Sequence, residues 1–185
     1  MPIARQIVRS TESLIDVIDP SRNATWTKPT CWLREVMAAA DLLRDDFGVD
    51  ADVWSAPSFN ELARDGQAVE RWNRLHPTDP PRQCHVERCL GPTEGPIVAA
   101  TDYVRIFAEQ IHPYVPRRYV VLGTDGFGRS DSRAALRGHF EVDRYHVAVA
   151  ALKALADEGT VSTSQVSSAI EKFGIDTEKP YSLYA

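Results

Sequence analysis

Apolar residues recur at helical spacing through Leu33, Val36, Met37, Ala40, Leu43 and Phe47, which predicts an amphipathic helix ended by a left-handed cap at Gly48. The alternating run ADVWS at 51–55 predicts a half-buried strand. Ser58, with Glu61 three residues on, carries a capping-box signature and opens a helix that Gly66 punctuates. QAVERWNRLH then adds a further helical stretch before Pro77, and the proline-rich residues 76–83 predict a loop. GPIVAATD offers a buried strand at 97–100. Thr101 or Asp102 is placed to cap the following helix, whose apolar positions are Val104, Ile106, Phe107 and Ile111. Pro113 and Pro116 stop that helix, and RYVVLG predicts the next strand.

Asp131 is a natural N-cap for DSRAALRGHF. Residues 143–159 present Val147, Val149, Ala150, Leu152 and Leu155 on a broad apolar face and end at Gly159. Ser162 with Gln165 caps a last helix, closed by Gly174. Residues 1–30 form a weakly patterned lead with a candidate short strand at 13–19, so the domain is expected over 31–185. Strands alternating with helices imply an α/β domain with a largely parallel sheet covered on both faces. Three strands are clear, and one or two more are expected within the lead or within 84–97.

Composition narrows the function. A chain of 185 residues is one domain that buries roughly 70% of its unfolded surface. Net charge −5 and a pI near 5.5 argue against a nucleic-acid or anionic-membrane surface. The local group Arg117, Arg118, Arg129, Arg133 and Arg137 keeps a small anionic ligand open. The longest apolar run, 147–152, is too short to span a bilayer, and the first twenty residues lack the core of a secretion signal, so a cytoplasmic setting is expected. Three cysteines, Cys31, Cys84 and Cys89, speak against a disulfide framework. Cys84, His85 and Cys89, with His76 upstream, can be drawn as a metal site. No second ligand pair follows, though, and helical positions five apart diverge from one face, so plain thiols are the better reading.

The most informative segment is the glycine loop 123–128, GTDGFG, between a strand and a helix. Amides at a helix start attract anions, which makes Gly123, Asp125, Gly126, Gly128, Arg129, Ser130 and Arg133 a candidate anion-binding or interface loop. The order G-x-x-G-x-G mirrors the dinucleotide fingerprint, and the lysine of a P-loop is missing. Asp125 and Asp131 place negative charge where a phosphate would lie. These mismatches favour a strand-to-helix crossover whose glycines allow positive φ. No G-x-S-x-G elbow or H-E-x-x-H pair occurs, and a break between Phe140 and Asp143 is expected to separate His139 from His146.

SFNELARDGQAVERWNRLHP at 58–77, TDYVRIFAEQI at 101–111 and YVVLGTDGFGRSDSRAALRGHFEVD at 119–143 closely resemble the C-terminal domain of the homodimeric-type pyruvate dehydrogenase decarboxylating components. The likeness extends from about residue 32 to 175, and Phe127-Gly128-Arg129-Ser130 looks like the Phe-Gly-x-Ser core of the wider transketolase family. The resemblance implies a three-layer, Rossmann-like, transketolase C-terminal-like domain with a mostly parallel or mixed sheet of four to five strands. Its full-length members use thiamine diphosphate and Mg²⁺, held by a Gly-Asp-Gly motif and a later asparagine in domains that precede this one. The nearest relative here is Thr124-Asp125-Gly126, and no asparagine follows Asn73.

This chain is therefore assigned no catalytic, cofactor-binding or metal residue of its own. It is expected neither to hold thiamine diphosphate tightly nor to decarboxylate pyruvate. The family's opening strand is replaced by TWTKPT at 25–30, so that strand is either rebuilt by residues 1–20 or lost, leaving a sheet edge open. The resemblance implies a stand-alone or separately encoded C-terminal domain with a structural and assembly role, as a homo-oligomer or in association with thiamine-diphosphate-binding subunits. Its glycine loop would face neighbouring domains or a partner subunit. The alternatives are a free module for a phosphate or 2-oxo acid, using Arg129, Arg133 and Arg137, and a truncated gene remnant.

Overall fold

The computed structural model of the protein describes residues 31–184; the candidate strand at 13–19 and Pro29 lie outside them. In chain order the elements are α1 (Cys31–Phe47), α2 (Phe59–Leu75), α3 (His85–Leu90), β1 (Ile97–Ala100), α4 (Ile106–Glu109), β2 (Tyr119–Leu122), α5 (Arg133–His139), α6 (Arg144–Asp157) and α7 (Thr163–Lys172). β1 and β2 pair in parallel, Ile97 opposite Tyr119 and Ala100 opposite Leu122. The alternation of a strand divides their side chains between two cores. Ile97, Ala99, Tyr119 and Val121 face a cluster built with Ala63, Val86, Leu90 and Ala108 from α2, α3 and α4. Ala100 and Leu122 face a second cluster of Ala39, Leu43, Val147, Leu152 and Val166 from α1, α6 and α7. The result is a helical domain of three layers with a small parallel sheet between them.

Several expected elements take a different form. Among the described residues the sheet has two strands rather than four to five. Residues 51–55 form no ladder, although Trp54 still packs into the first core. Residues 84–97 hold the helix α3 where a hidden strand was expected. Local chemistry explains this: Cys84 and Glu87 cap each other reciprocally, and the His85 amide donates to Asp65 at 2.7 Å. Arg117 then caps the far end, donating to the Leu90 and Gly91 carbonyls and to Thr93 Oγ1 at 2.8–3.0 Å.

The helix expected at 103–111 shrinks to α4 and a 3-10 turn, His112–Tyr114. Thr101 does not cap it; its hydroxyl accepts from the Tyr103 amide, a turn that delays the helix. α2 runs unbroken through Gly66, because the Tyr114 ring occupies the space a β-carbon would take. The helix expected at 143–159 forms as α6 with Asp143 as its cap, and Ser162 with Gln165 caps α7 as expected. For α5 the cap is Ser132, one residue after the expected Asp131. No helix among the described residues is long and apolar enough to cross a membrane.

One buried carboxylate joins three helices. Glu35 on α1 is 5% exposed. It accepts from Arg137 Nη1 at 2.6 Å, from Arg144 Nε and Nη2 at 2.9 and 3.1 Å, and from the Arg144 amide at 3.2 Å. The hydrogen bond from the Arg144 side chain holds this carboxyl below its ordinary range against the opposing effect of burial. The Arg144 amide and both guanidinium charges add to the lowering.

Breaking a buried pair by removing one partner leaves the other charge uncompensated, so Glu35→Gln is expected to cost about 3 kcal/mol in urea unfolding. Because the folded-state value is lowered, this stabilisation is complete above ~4.3, the ordinary glutamate value, and is lost as acid protonates the folded carboxylate. The variant's stability should accordingly fall less steeply than the parent's over that acid range. At Gly66, alanine would put its β-carbon 2.5 Å from Tyr114 Cδ2 and Cζ. Gly66→Ala should therefore destabilise by about 1–3 kcal/mol despite alanine's better helix propensity, and Tyr114→Ala in the same chain should recover part of that loss.

Candidate functional site

The glycine loop leaves the C-terminal end of β2, where open α/β sheets present their binding crevices. Its first half is held against residues 101–105. The Thr124 amide donates to the Tyr103 carbonyl at 3.0 Å and its hydroxyl to the Asp102 carbonyl at 3.0 Å. Gly123 is buried, and a β-carbon there would stand 2.8 Å from the Tyr103 carbonyl and 2.9 Å from the Arg105 nitrogen. Glycine is required for that close approach. Asp125 accepts from the Arg105 amide at 3.0 Å, so its carboxylate caps the turn entering α4.

The loop's second wall comes from far along the chain. Ser182, buried, donates its hydroxyl to the Asp125 carbonyl at 2.9 Å. Gly126 takes φ 119° and lies directly against the Ser182 backbone. Arg105 reaches between both walls, with Nη1 3.5 Å from the Tyr181 hydroxyl, Nε 3.9 Å from Asp125 and Nη2 3.7 Å from Glu109.

These contacts divide the seven residues singled out in the sequence. Gly123, Asp125 and Gly126 are packed on the protein's own backbone, whereas Gly128, Arg129 and Ser130 are exposed, and Arg133 opens α5 on the surface. The first amides after the loop are in use: Ser132 Oγ accepts from Ala135 N, and Asp131 accepts from Ser132 N. The basic group also separates. Arg117 caps α3, Arg118 pairs with Asp157 at 2.5 Å, and Arg137, 16% exposed, bonds Glu35. The Thr124 amide inside the loop and the Ser132 and Ala135 amides that follow it are thus committed to the protein's own acceptors. Arg105 and Ser182 were invisible in the sequence, because they reach the loop from 20 and 57 residues away.

The other candidates resolve locally. Among the described residues no group of three or more His, Cys, Asp or Glu is placed to hold a metal ion. Cys84 is a buried helix cap, Cys89 lies 3.6 Å from His85 Nε2, and burial pushes both thiols up. His76 stacks on Trp72, with ring centroids 4.4 Å apart. His146 Nδ1 lies 2.8 Å from the Asp143 carboxylate that caps α6. His139, on α5 and separated from His146 by the expected break, has a buried Nε2 without a hydrogen-bond partner. Burial lowers its pKa first, and the Arg129 and Lys179 charges lower it further. Arg129→Ala is therefore expected to move the His139 titration upward by NMR, which checks that the loop's cation lies over the end of α5.

Comparison with known proteins places this geometry in a family. The family profile for the Transketolase-like TK C-terminal domain matches residues 31–143. The chain is 63% identical over 147 residues to the pyruvate dehydrogenase E1 component of Cupriavidus necator, covering 80% of this chain and 16% of that protein. It is 64% identical over 148 residues to the component of the same name from Pseudomonas aeruginosa, covering 80% and 17%. With that of Escherichia coli K12 it shares 54% over 148 residues, covering 80% and 16%. The chain spans about one sixth of the length of these curated relatives. With its three layers, its crossover loop and these long identities, the chain belongs to the Transketolase-like TK C-terminal domain family and is homologous to that region of the pyruvate dehydrogenase E1 components.

Proposed function

We infer that this chain serves as the C-terminal domain of a pyruvate dehydrogenase decarboxylating component, with a structural and assembly role in the oxidative decarboxylation of pyruvate to acetyl-CoA. The observation that carries this reading is the identity of 63–64% over 147–148 residues to relatives bearing that name. Identity over that length, with a family profile that spans residues 31–143 and so takes in Glu35 and the crossover loop, reaches beyond a shared short motif.

Thiamine diphosphate with Mg²⁺ would be held elsewhere in such an enzyme. A divalent ion bridging a diphosphate needs several oxygen ligands at fixed geometry. In Thr124-Asp125-Gly126, the segment nearest to the family's motif, the Asp125 carboxylate is turned to the Arg105 amide and Gly126 is pressed on Ser182. Those residues do not fit the group. The chain's contribution is instead surface: a rigid three-layer body presenting the loop at 127–130 to thiamine-diphosphate-binding subunits or to a copy of itself, in a cytoplasmic setting. The anion-module alternative has less behind it, since Arg137 is engaged with Glu35 and the α5 start is capped by its own side chains.

The purified chain should show no heat of binding when titrated with thiamine diphosphate and Mg²⁺, and no pyruvate decarboxylation. Tagged protein recovered from its own cells should bring thiamine-diphosphate-binding polypeptides with it. Turnover of pyruvate by the chain alone would sink this reading.

A further inference from the structure

A second concave feature shares no residue with the glycine loop. It is a groove of about 660 Å³, within the ~300–1,000 Å³ of clefts that hold small molecules. Val69 and Asn73, one turn apart on α2, line it together with residues 81–83 and with Glu87 and Arg88 of α3. Asn73 clamps the loop to the helix. Its Nδ2 donates to the Arg82 carbonyl at 2.9 Å, and its Oδ1 accepts from the Arg82 amide at 2.8 Å.

Both arginines of the groove are held in place by contacts that leave donors over. The Arg82 guanidinium carbon lies 3.6 Å from the centre of the Trp72 ring, which is itself stacked with His76 at 4.4 Å. Contact through the ring face fixes the planar fork without consuming its in-plane N–H groups. Arg88 Nη1 donates to the Gln83 carbonyl at 2.7 Å, and its remaining N–H groups are not used by that bond. Among the described residues neither guanidinium pairs with a carboxylate, whereas the exposed Arg44, Arg64 and Arg118 each do. Glu87 is the acid in the lining, and its Oε2 is taken by the Cys84 amide at 2.7 Å.

Charge and shape together set the class of ligand. A guanidinium fork matches the paired oxygens of a carboxylate or a phosphate. Two forks in one groove suit a molecule with two or more such groups, and Val69 and Pro81 offer apolar contact to a carbon frame between them. The chain's net charge of −5 opposes an anion at long range. Salt limits that field to about 8 Å at physiological strength, so the two arginines decide the local sign.

We propose that this groove binds a small organic polyanion, with Arg82 and Arg88 each taking one carboxylate or phosphate group. The site is additional to the structural role inferred above and stands or falls without it.

Calorimetric titration of the full chain with citrate, and separately with pyrophosphate, should show saturable binding of at least one probe below ~10 mM. Which probe binds tells a carboxylate ligand from a phosphate one. Arg88→Gln, at an exposed position, should weaken that binding at least about tenfold. Arg82→Lys should do the same although the charge is kept, because the fork is lost. Arg64→Gln, outside the groove, should leave binding unchanged. If Arg82→Lys also lowers the thermal midpoint, Arg88→Gln alone decides. Absence of saturable binding for both probes, or binding that Arg88→Gln leaves intact, overturns the proposal. Capture of a polyglutamate peptide where neither small probe binds overturns it as well, since the groove would then serve a protein partner.

Discussion

Glu35 lies on α1, yet its hydrogen bonds run to residues 102 and 109 positions away, on α5 and at the start of α6. Burying the Glu35 carboxylate beside Arg137, with Arg144 still 41% exposed, gains little net stability over a well-packed apolar substitute. What the cluster supplies is geometry. The bonds from Arg144 fix α1 against the first turn of α6, and the bond from Arg137 fixes the end of α5 to the same point. α6 packs on α1, on α7 and on the sheet, so the second core inherits its alignment from that one carboxylate. The crossover loop is anchored at both ends, by β2 and by an α5 that Glu35 holds in place.

That anchoring explains why the glycine loop behaves as a wall more than as a cradle. Its backbone is spoken for by residues 101–105 on one side and Ser182 on the other, and its exit helix is capped by Ser132. Only the segment from Phe127 to Ser130 remains for an external contact.

Much of this domain was legible in the residues themselves. Ser162, Gly48 and Gly159 mark real helix ends because capping is settled within one turn of chain. The strands at 97–100 and 119–122 follow from short apolar runs bounded by turn residues. The family was likewise readable, since long ungapped stretches survive independent of any local preference. The failures have a common origin. ADVWS alternates like a strand but pairs with no strand among the described residues, and a strand exists only by virtue of its neighbour. Gly66 looks like a helix breaker until the Tyr114 ring is seen to fill its missing side chain.

Local patterning, then, determined where helices begin and end, which faces are apolar, and to which family the chain belongs, because each of those is written in residues a few positions apart or in the sequence as a whole. Tertiary structure alone decided that Glu35 is a junction and that Arg105 and Ser182 wall the glycine loop. Those facts depend on contacts between residues 20 to more than 100 positions apart, and no periodicity in a chain encodes which distant groups will meet.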